Sequence, residues 1–419
     1  MNNVKRLFTS GHSALLLNGA LVLLFALPLQ TASGNAQKPK REQDRLEQKE
    51  THIYNEVTPG IDRALEIRED SRKQAVQLAL LLDTSNSMDG LIAQAKSQLW
   101  DIVNELAYVR CGDQSRPELQ IALYEYGNDN LSSREGYIRQ VVGFTEDLDL
   151  ISEKLFALTT NGGEEFCGEV IHTSLDQLIW NKNDKDLRMI FIAGNEPFDQ
   201  GKFDFRQAAE EAGRKGVVVN TIFCGAYRTG VETYWKEGAT LGGGKYAAIN
   251  HNDLRAEIAT PYDDAIIRLN IELNGTYMGY GDVAAEFQER QMAQDANASS
   301  MNTGVAVKRA VAKSSQYYKN SNWDLVDAYE QDEEAVLNME KEELPEELQK
   351  LSKAELRRHI ESTKAKRAEI QQEIGQLNVQ REQFIKENQQ KAEGELENAL
   401  IVALRDQASS KGFVWIKRD

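Results

Sequence analysis

From Val76 to Leu82 the chain is almost continuously apolar, and the run stops at Asp83. A short apolar run closed by a polar loop fits a strand buried on both faces. Leu91, Ala95, Leu99, Ile102, Val103 and Leu106 then recur at helical spacing. Further apolar runs predict strands at Leu119–Tyr124, Tyr137–Val142, Leu187–Ile192, Val217–Phe223 and Tyr246–Ile249. Helical spacing between them predicts helices from Leu148 to Leu158, from Val170 to Ile179 and from Phe205 to Arg214, with a closing helix from Asp253 to Leu269. Strands alternating with helices need crossover connections, so residues 74–270 predict an α/β fold: a doubly wound, mostly parallel sheet with helices on both faces. Ligand sites in such sheets lie at the carboxyl ends of the strands.

After residue 270 the strand signal disappears. Residues 271–330 read as a helical connector, and 331–411 are dominated by Glu, Gln, Lys and Arg. Leu344, Leu348 and Leu351 keep a four-three spacing, as do Ile370, Ile374 and Leu377, but Arg381, Asn388 and Lys391 fall on seam positions. The segment reads as a long helix or helical hairpin and only a poor coiled coil, which leaves open a solvated helix or a homo-oligomer formed through it. The apolar tail of residues 412–419 fits a short terminal strand or a segment docked on the core.

The first 36 residues have Lys5 and Arg6, an apolar stretch from Ala14 to Leu29, and small residues after it. This is the pattern of a secretory signal peptide, which places the protein in the periplasm or outside the cell. Left uncleaved, the segment would instead anchor the chain in the inner membrane. Residues 37–73 read as a polar tether with a short helix.

Composition narrows the function. Apolar residues make up 41% of the 419, enough for a core, whereas a net charge of −17 excludes a nucleic-acid binder, which needs a basic face. Cys111, Cys167 and Cys224 lack zinc-type spacing. None of the five histidines pairs with another at metalloprotease spacing, and none stands with a nucleophile in a catalytic pattern, so no enzyme is expected. The Gly-rich stretch at 241–246 is not a phosphate loop, because Ala239 holds the first Gly position and Tyr246 replaces Ser or Thr.

The first predicted strand ends in Asp83, Thr84, Ser85, Asn86 and Ser87, a D-x-S-x-S pattern directly before an amphipathic helix. In a loop leaving a strand, alternate residues can face one point. Asp83 supplies charge there, and Ser85 and Ser87 supply neutral oxygens. A hard cation such as Mg²⁺ takes about six oxygens and keeps some waters. Three loop ligands therefore leave positions open for an acidic side chain from a partner.

The stretch from Leu80 to Met88 resembles the opening of a von Willebrand factor type A (vWA) domain. The resemblance covers under half of the chain. It implies a metal-ion-dependent adhesion site at the top of the sheet, holding Mg²⁺, Mn²⁺ or Ca²⁺, and a protein partner with an exposed acidic residue. Two further loops complete that site in the family. One carries a Thr after a glycine pair, where this chain has Glu164 after Gly162 and Gly163. The other carries an Asp after the fourth strand, where this chain has Gly194, followed by Asn195 and Glu196. Either Glu164 or Glu165, with Asn195 or Glu196, restores the oxygen ligands, or the site is degenerate and the loops serve only as a protein-binding surface. Tyr126, Asp129 and Glu165 are the expected partner contacts. Cys167 and Cys224 fall near the same end of the implied sheet, and export would permit a disulfide between them. Two functional readings follow: an exported adhesion-type module that captures a protein through this metal, or a metal-free vWA scaffold in an envelope assembly whose C-terminal helices make the contacts.

Overall fold

The computed structural model describes residues 73–249, 258–388 and 395–416. The predicted signal peptide, nearly all of the tether and the start of the predicted closing helix lie outside the described residues. The α/β part runs β1 (Ala75–Asp83), α1 (Asp89–Leu106), β2 (Val109–Arg110), β3 (Glu118–Tyr126), β4 (Ile138–Thr145), α2 (Leu148–Ala157), α3 (Cys167–Gln177), β5 (Leu187–Gly194), α4 (Phe205–Arg214), β6 (Val218–Cys224), α5 (Tyr227–Glu232), α6 (Trp235–Leu241) and β7 (Gly243–Ile249).

Six strands form one sheet in the order β4-β3-β1-β5-β6-β7, all parallel except the antiparallel edge strand β4. β1 lies inside the sheet with both faces covered, which is why its sequence is apolar without alternation. Its period of two still sorts the side chains. Leu78, Leu80 and Leu82 pack with α1 and α2, while Ala79 and Leu81 pack with α3, α4 and Trp235 of α6.

The C-terminal part continues α7 (Asp263–Asn274), α8 (Ala284–Met301), α9 (Thr303–Lys313), α10 (Leu325–Gln331), α11 (Glu333–Leu337), α12 (Lys353–Asn388), α13 (Glu395–Ser410) and β8 (Val414–Trp415). Among the described residues the closing helix begins at Asp263, and residues 258–260 before it are not helical. Pro261 disfavours helical backbone at Thr260, and Thr260 instead donates from its backbone N and its Oγ1 to the Asp263 carboxylate, at 2.9 and 2.7 Å. Helices α8 and α9 do not merely connect. Ala298, Val305, Val307 and Ala310 share one core with Leu78 and Leu80 of the sheet.

α12 packs against α7, α9 and α10. Ile370 and Ile374 enter the core, and the polar residues that break its stripe dock it as well. Arg367 Nη1 lies 2.7 Å from Asp324 Oδ2 and 2.9 Å from Asp327 Oδ1, and Arg381 Nε donates to Asp263 Oδ1 at 2.9 Å. These are buried ion pairs, which hold only with both partners present. Residues Val414–Trp415 form the expected short terminal strand, pairing antiparallel with β2. Trp415 Nε1 and Arg405 Nε both donate to the buried Glu105 Oε1 at 2.6 Å. Among the described residues no helix is long and apolar enough to cross a membrane.

Candidate metal centre

The loop after β1 takes its shape from three backbone anchors. Thr84 N donates to Tyr126 O at 2.9 Å, extending the strand pairing by one residue. Thr84 O accepts from Asn161 N at 3.0 Å and from Asn128 Nδ2 at 3.2 Å. Ser85 is extended, and a 3-10 turn over Asn86–Met88 leads into α1. With Thr84 pinned on one side, residues 83, 85 and 87 turn to the other. Asp83 Oδ1 accepts from Ser85 N at 2.7 Å, and Ser85 Oγ lies 3.4 Å from Ser87 Oγ. Asp83 is fully buried, and its Oδ2 has no hydrogen-bond partner. Burial is the main reason its carboxyl is raised to about 7; bonds from Ser85 and from the Asn195 backbone oppose the shift, and the Glu196 charge adds to it.

A D-x-S-x-S loop at the carboxyl end of a central parallel strand, in a doubly wound sheet with one antiparallel edge, is the arrangement that the opening sequence implied. The α/β part of this chain has the vWA fold. No family model matches the chain, and no curated protein matches it. Solved structures that align with it include a conserved hypothetical protein, BatB, from Bacteroides thetaiotaomicron, at 16% identity and a TM-score of 0.33 over 42% of this chain and 90% of that one. The vWA domain of SpRpn10 aligns at 14% identity and 0.33, over 44% and 100%. Proximal thread matrix protein 1 of the mussel byssus, solved with a zinc-occupied adhesion-site motif, aligns at 13% and 0.33, over 43% of each chain. Well over half of this chain lies outside each alignment.

The other vWA loops depart from the expectations in three places. First, the burial of the two glutamates is the reverse of what their expected roles need. Glu164 is exposed, whereas Glu165, expected as a partner contact, is buried. A Cβ on Gly127 would stand 2.7 Å from Glu165 Cγ and 3.1 Å from Asp83 Oδ1, so the bare Gly127 lets the two acids close on one another. Burial first, then the Asp83 and Glu196 charges, raise Glu165 to about 8.

Second, Tyr126 is no surface contact: it is completely buried, because its ring lies on the α3 face of the sheet. Its hydroxyl donates to Ala193 O at 3.0 Å. A Cβ at Gly194 would stand 2.6 Å from that hydroxyl and 3.0 Å from Asp83 Oδ2. The space that a side chain at Gly194 would need is therefore taken by a phenol from β3, two strands away, which no local motif could reveal. Asp129 is exposed, at the edge of the glycine-pair loop, where its backbone N donates to Gly162 O.

Third, Cys167 and Cys224 are free thiols, not a disulfide. The sheet separates them. Cys167 packs on the α3 face with Phe223, and Cys224 on the α1 face with Ile222. Burial raises both thiols. Cys111 is also a free, buried thiol.

Asn195 and Glu196 follow β5 beside the loop. Asn195 Nδ2 donates to Ser87 Oγ at 3.0 Å, and its buried Oδ1 has no partner. Rotating this amide by half a turn would present the oxygen to the same spot. Trp235 Nε1 holds Glu196 O at 2.7 Å. Asp83, Ser85, Ser87 and Asn195 thus form a chain of oxygen donors with two orphaned buried oxygens, and the Glu165 side chain closes on Asp83 across Gly127, which suits a hard divalent cation; the Glu196 carboxylate adds charge nearby and is held by Gln200 Nε2 at 3.4 Å. On the flank, His172, Asp176 and Glu211 place ligand-type atoms within 4.8 Å of one another. The Lys215 ammonium, 3.1 Å from Asp176 and 2.9 Å from Glu211, already supplies the cation there.

Proposed function

We propose that this chain is a non-enzymatic binding module whose vWA site holds a divalent cation, Mg²⁺ or Mn²⁺, and through it captures an acidic side chain of a protein partner. The observation that carries the reading is the Asp83 carboxylate, buried with one oxygen unpartnered and faced by the Glu165 and Glu196 charges. Buried carboxylates are costly unless a cation or a proton neutralises them. Asp83, Ser85 and Ser87 would hold the ion, with Asn195 and Glu165 as the ligands from the other loops. The bound ion would supply Lewis-acid attraction for a partner carboxylate. Glu165 adds negative charge to the shell, which tightens the cation and weakens its pull on an acidic partner. The predicted signal segment supports export to the periplasm or beyond.

The raised Asp83 and Glu165 favour a second reading: protons alone neutralise the pair, the fold is a metal-free scaffold, and the C-terminal helices make the contacts in an envelope assembly. Isothermal titration of the purified chain with Mn²⁺ and Mg²⁺ separates the two. Saturable binding that Asp83→Asn abolishes supports the metal site. No heat from either ion, with partner capture from envelope extracts unaffected by chelator, supports the scaffold.

A further inference from the structure

At the opposite end of the sheet from Asp83, a cleft of about 660 Å³ opens at the amino ends of β5 and β6. Lys182, Arg188, Arg214 and Lys215 line it against one acid, Asp184, on a chain whose net charge is −17. Lys215 is spent on Leu175 O, Asp176 and Glu211. Lys182 and Arg214 are exposed, and the nearest carboxylate to Arg214 is Glu210 at 4.0 Å.

Arg188 differs from these. It is 5% exposed, yet only one edge of its guanidinium is engaged: Nη1 donates to Asn181 O at 2.6 Å. Nε is buried without an acceptor, and Nη2 lies against the bare Gly216, 3.6 Å from the exposed Asp184 Oδ1, beyond hydrogen-bond range. The Nε–Nη2 edge is the fork that takes two oxygens of a carboxylate or phosphate side by side. Buried donors rarely go without a partner.

The apolar wall of the cleft stands on a held loop. Gln77 fixes Ile179 O at 3.2 Å and Asn181 N at 2.7 Å, and Asn181 Nδ2 donates to Asp186 Oδ2 at 2.9 Å. Ile179 is nevertheless 88% exposed, beside Leu178 and Trp180. A large aliphatic side chain displayed on a pinned loop, next to unspent cations, has the anatomy of a ligand pocket: apolar walls with a few convergent polar groups.

We propose that this cleft is a binding site for a small organic oxyanion, a carboxylate or phosphate on an apolar body. The oxyanion sits on the free edge of Arg188, with Lys182 and Arg214 drawing it in, and the apolar body lies against Ile179 and Trp180. The site is independent of the cation at Asp83.

The full chain is titrated calorimetrically with phenylacetate, with phenyl phosphate and with uncharged benzyl alcohol, at constant ionic strength set by chloride. The expected result is saturable binding of at least one anion, with benzyl alcohol at least about tenfold weaker. The surface variant K182E/R214E loses at least about tenfold in affinity, because both substitutions put negative charge where attraction was. Arg188→Lys, which keeps the charge and removes the fork, weakens binding further, whereas Asp83→Asn binds as the parent does. Carboxylate and phosphate are distinguished by which probe saturates. The proposal is overturned if neither anion saturates, if benzyl alcohol matches them, or if K182E/R214E binds like the parent. This last outcome decides even where Arg188→Lys fails to fold.

Discussion

Asp83 and Tyr126 are register partners on adjacent parallel strands, and the Tyr126 hydroxyl and Asp83 Oδ2 converge on the same bare position, Gly194. A phenol from β3 and a carboxylate from the loop before α3 thus stand beside Asp83.

This packing makes Gly194 intolerant of a side chain. Gly194→Ala puts a Cβ against the phenol and the carboxylate and is expected to cost about 1–3 kcal/mol by overpacking. In a Tyr126→Phe background the penalty is smaller, because the nearest atom is gone. Urea unfolding of the four proteins gives the coupling; equal penalties in both backgrounds would refute the contact.

Protonation sets a pH dependence with a definite sign. Asp83 and Glu165 have folded values of about 7 and about 8, above their ordinary carboxyl values. Between the two the folded state binds more protons than the unfolded one, so stability falls as pH rises from about 4 to about 8. In chelator, melting temperature is expected to decline across that window, and Asp83→Asn with Glu165→Gln flattens the decline. Saturating Mn²⁺ raises the upper end of the curve most, where the carboxylates are charged. A melting temperature that climbs from pH 5 to 8 in chelator, and does so equally in the double variant, contradicts this.

Ser87 is exposed and Ser85 buried, which separates binding from folding. Ser87→Ala is expected to weaken Mn²⁺ by at least about tenfold, with the cation-free melting temperature unchanged. Titration calorimetry beside a melting curve checks both halves.

Arg367 is the anchor of α12. Arg367→Ala leaves Asp324 buried and without its partner, a loss of about 3–5 kcal/mol. Since α12 shares the sheet's core, circular dichroism and tryptophan fluorescence should report one coincident transition in the parent. Two separated transitions would show that the helices fold apart from the sheet.

The sheet was legible because its strands carry a signal of their own. β1, β3, β5 and β6 are apolar runs bounded by polar loops, and the helix Phe205–Arg214 was read to the residue. The short helices α5 and α6 were not, since six or seven residues give too little periodicity to count. At the site, Asp83, Ser85 and Ser87 were readable because they are local in sequence. The roles of Tyr126, Glu165 and the two cysteines were not. The sheet face decides Tyr126 and Cys224, and strand register sets that across gaps of tens of residues; Glu165 and Cys167 are placed by the packing of the loop and helix α3 on one face of the sheet. The docking of α12 was hidden for a similar reason. Arg381 looks like a break in a stripe until Asp263 is brought to it, and nothing local marks Arg367 as the partner of Asp324.

Glu105 waits 300 residues for Arg405 and 310 for Trp415. During synthesis the strand Val109–Arg110 therefore leaves the ribosome long before its partner Val414–Trp415 exists, and Glu105 goes without the Arg405 guanidinium for the whole of that interval. A chain cut before Arg405 would keep Asp83, Ser85 and Ser87 in place but leave the buried Glu105 carboxylate with neither of these two donors.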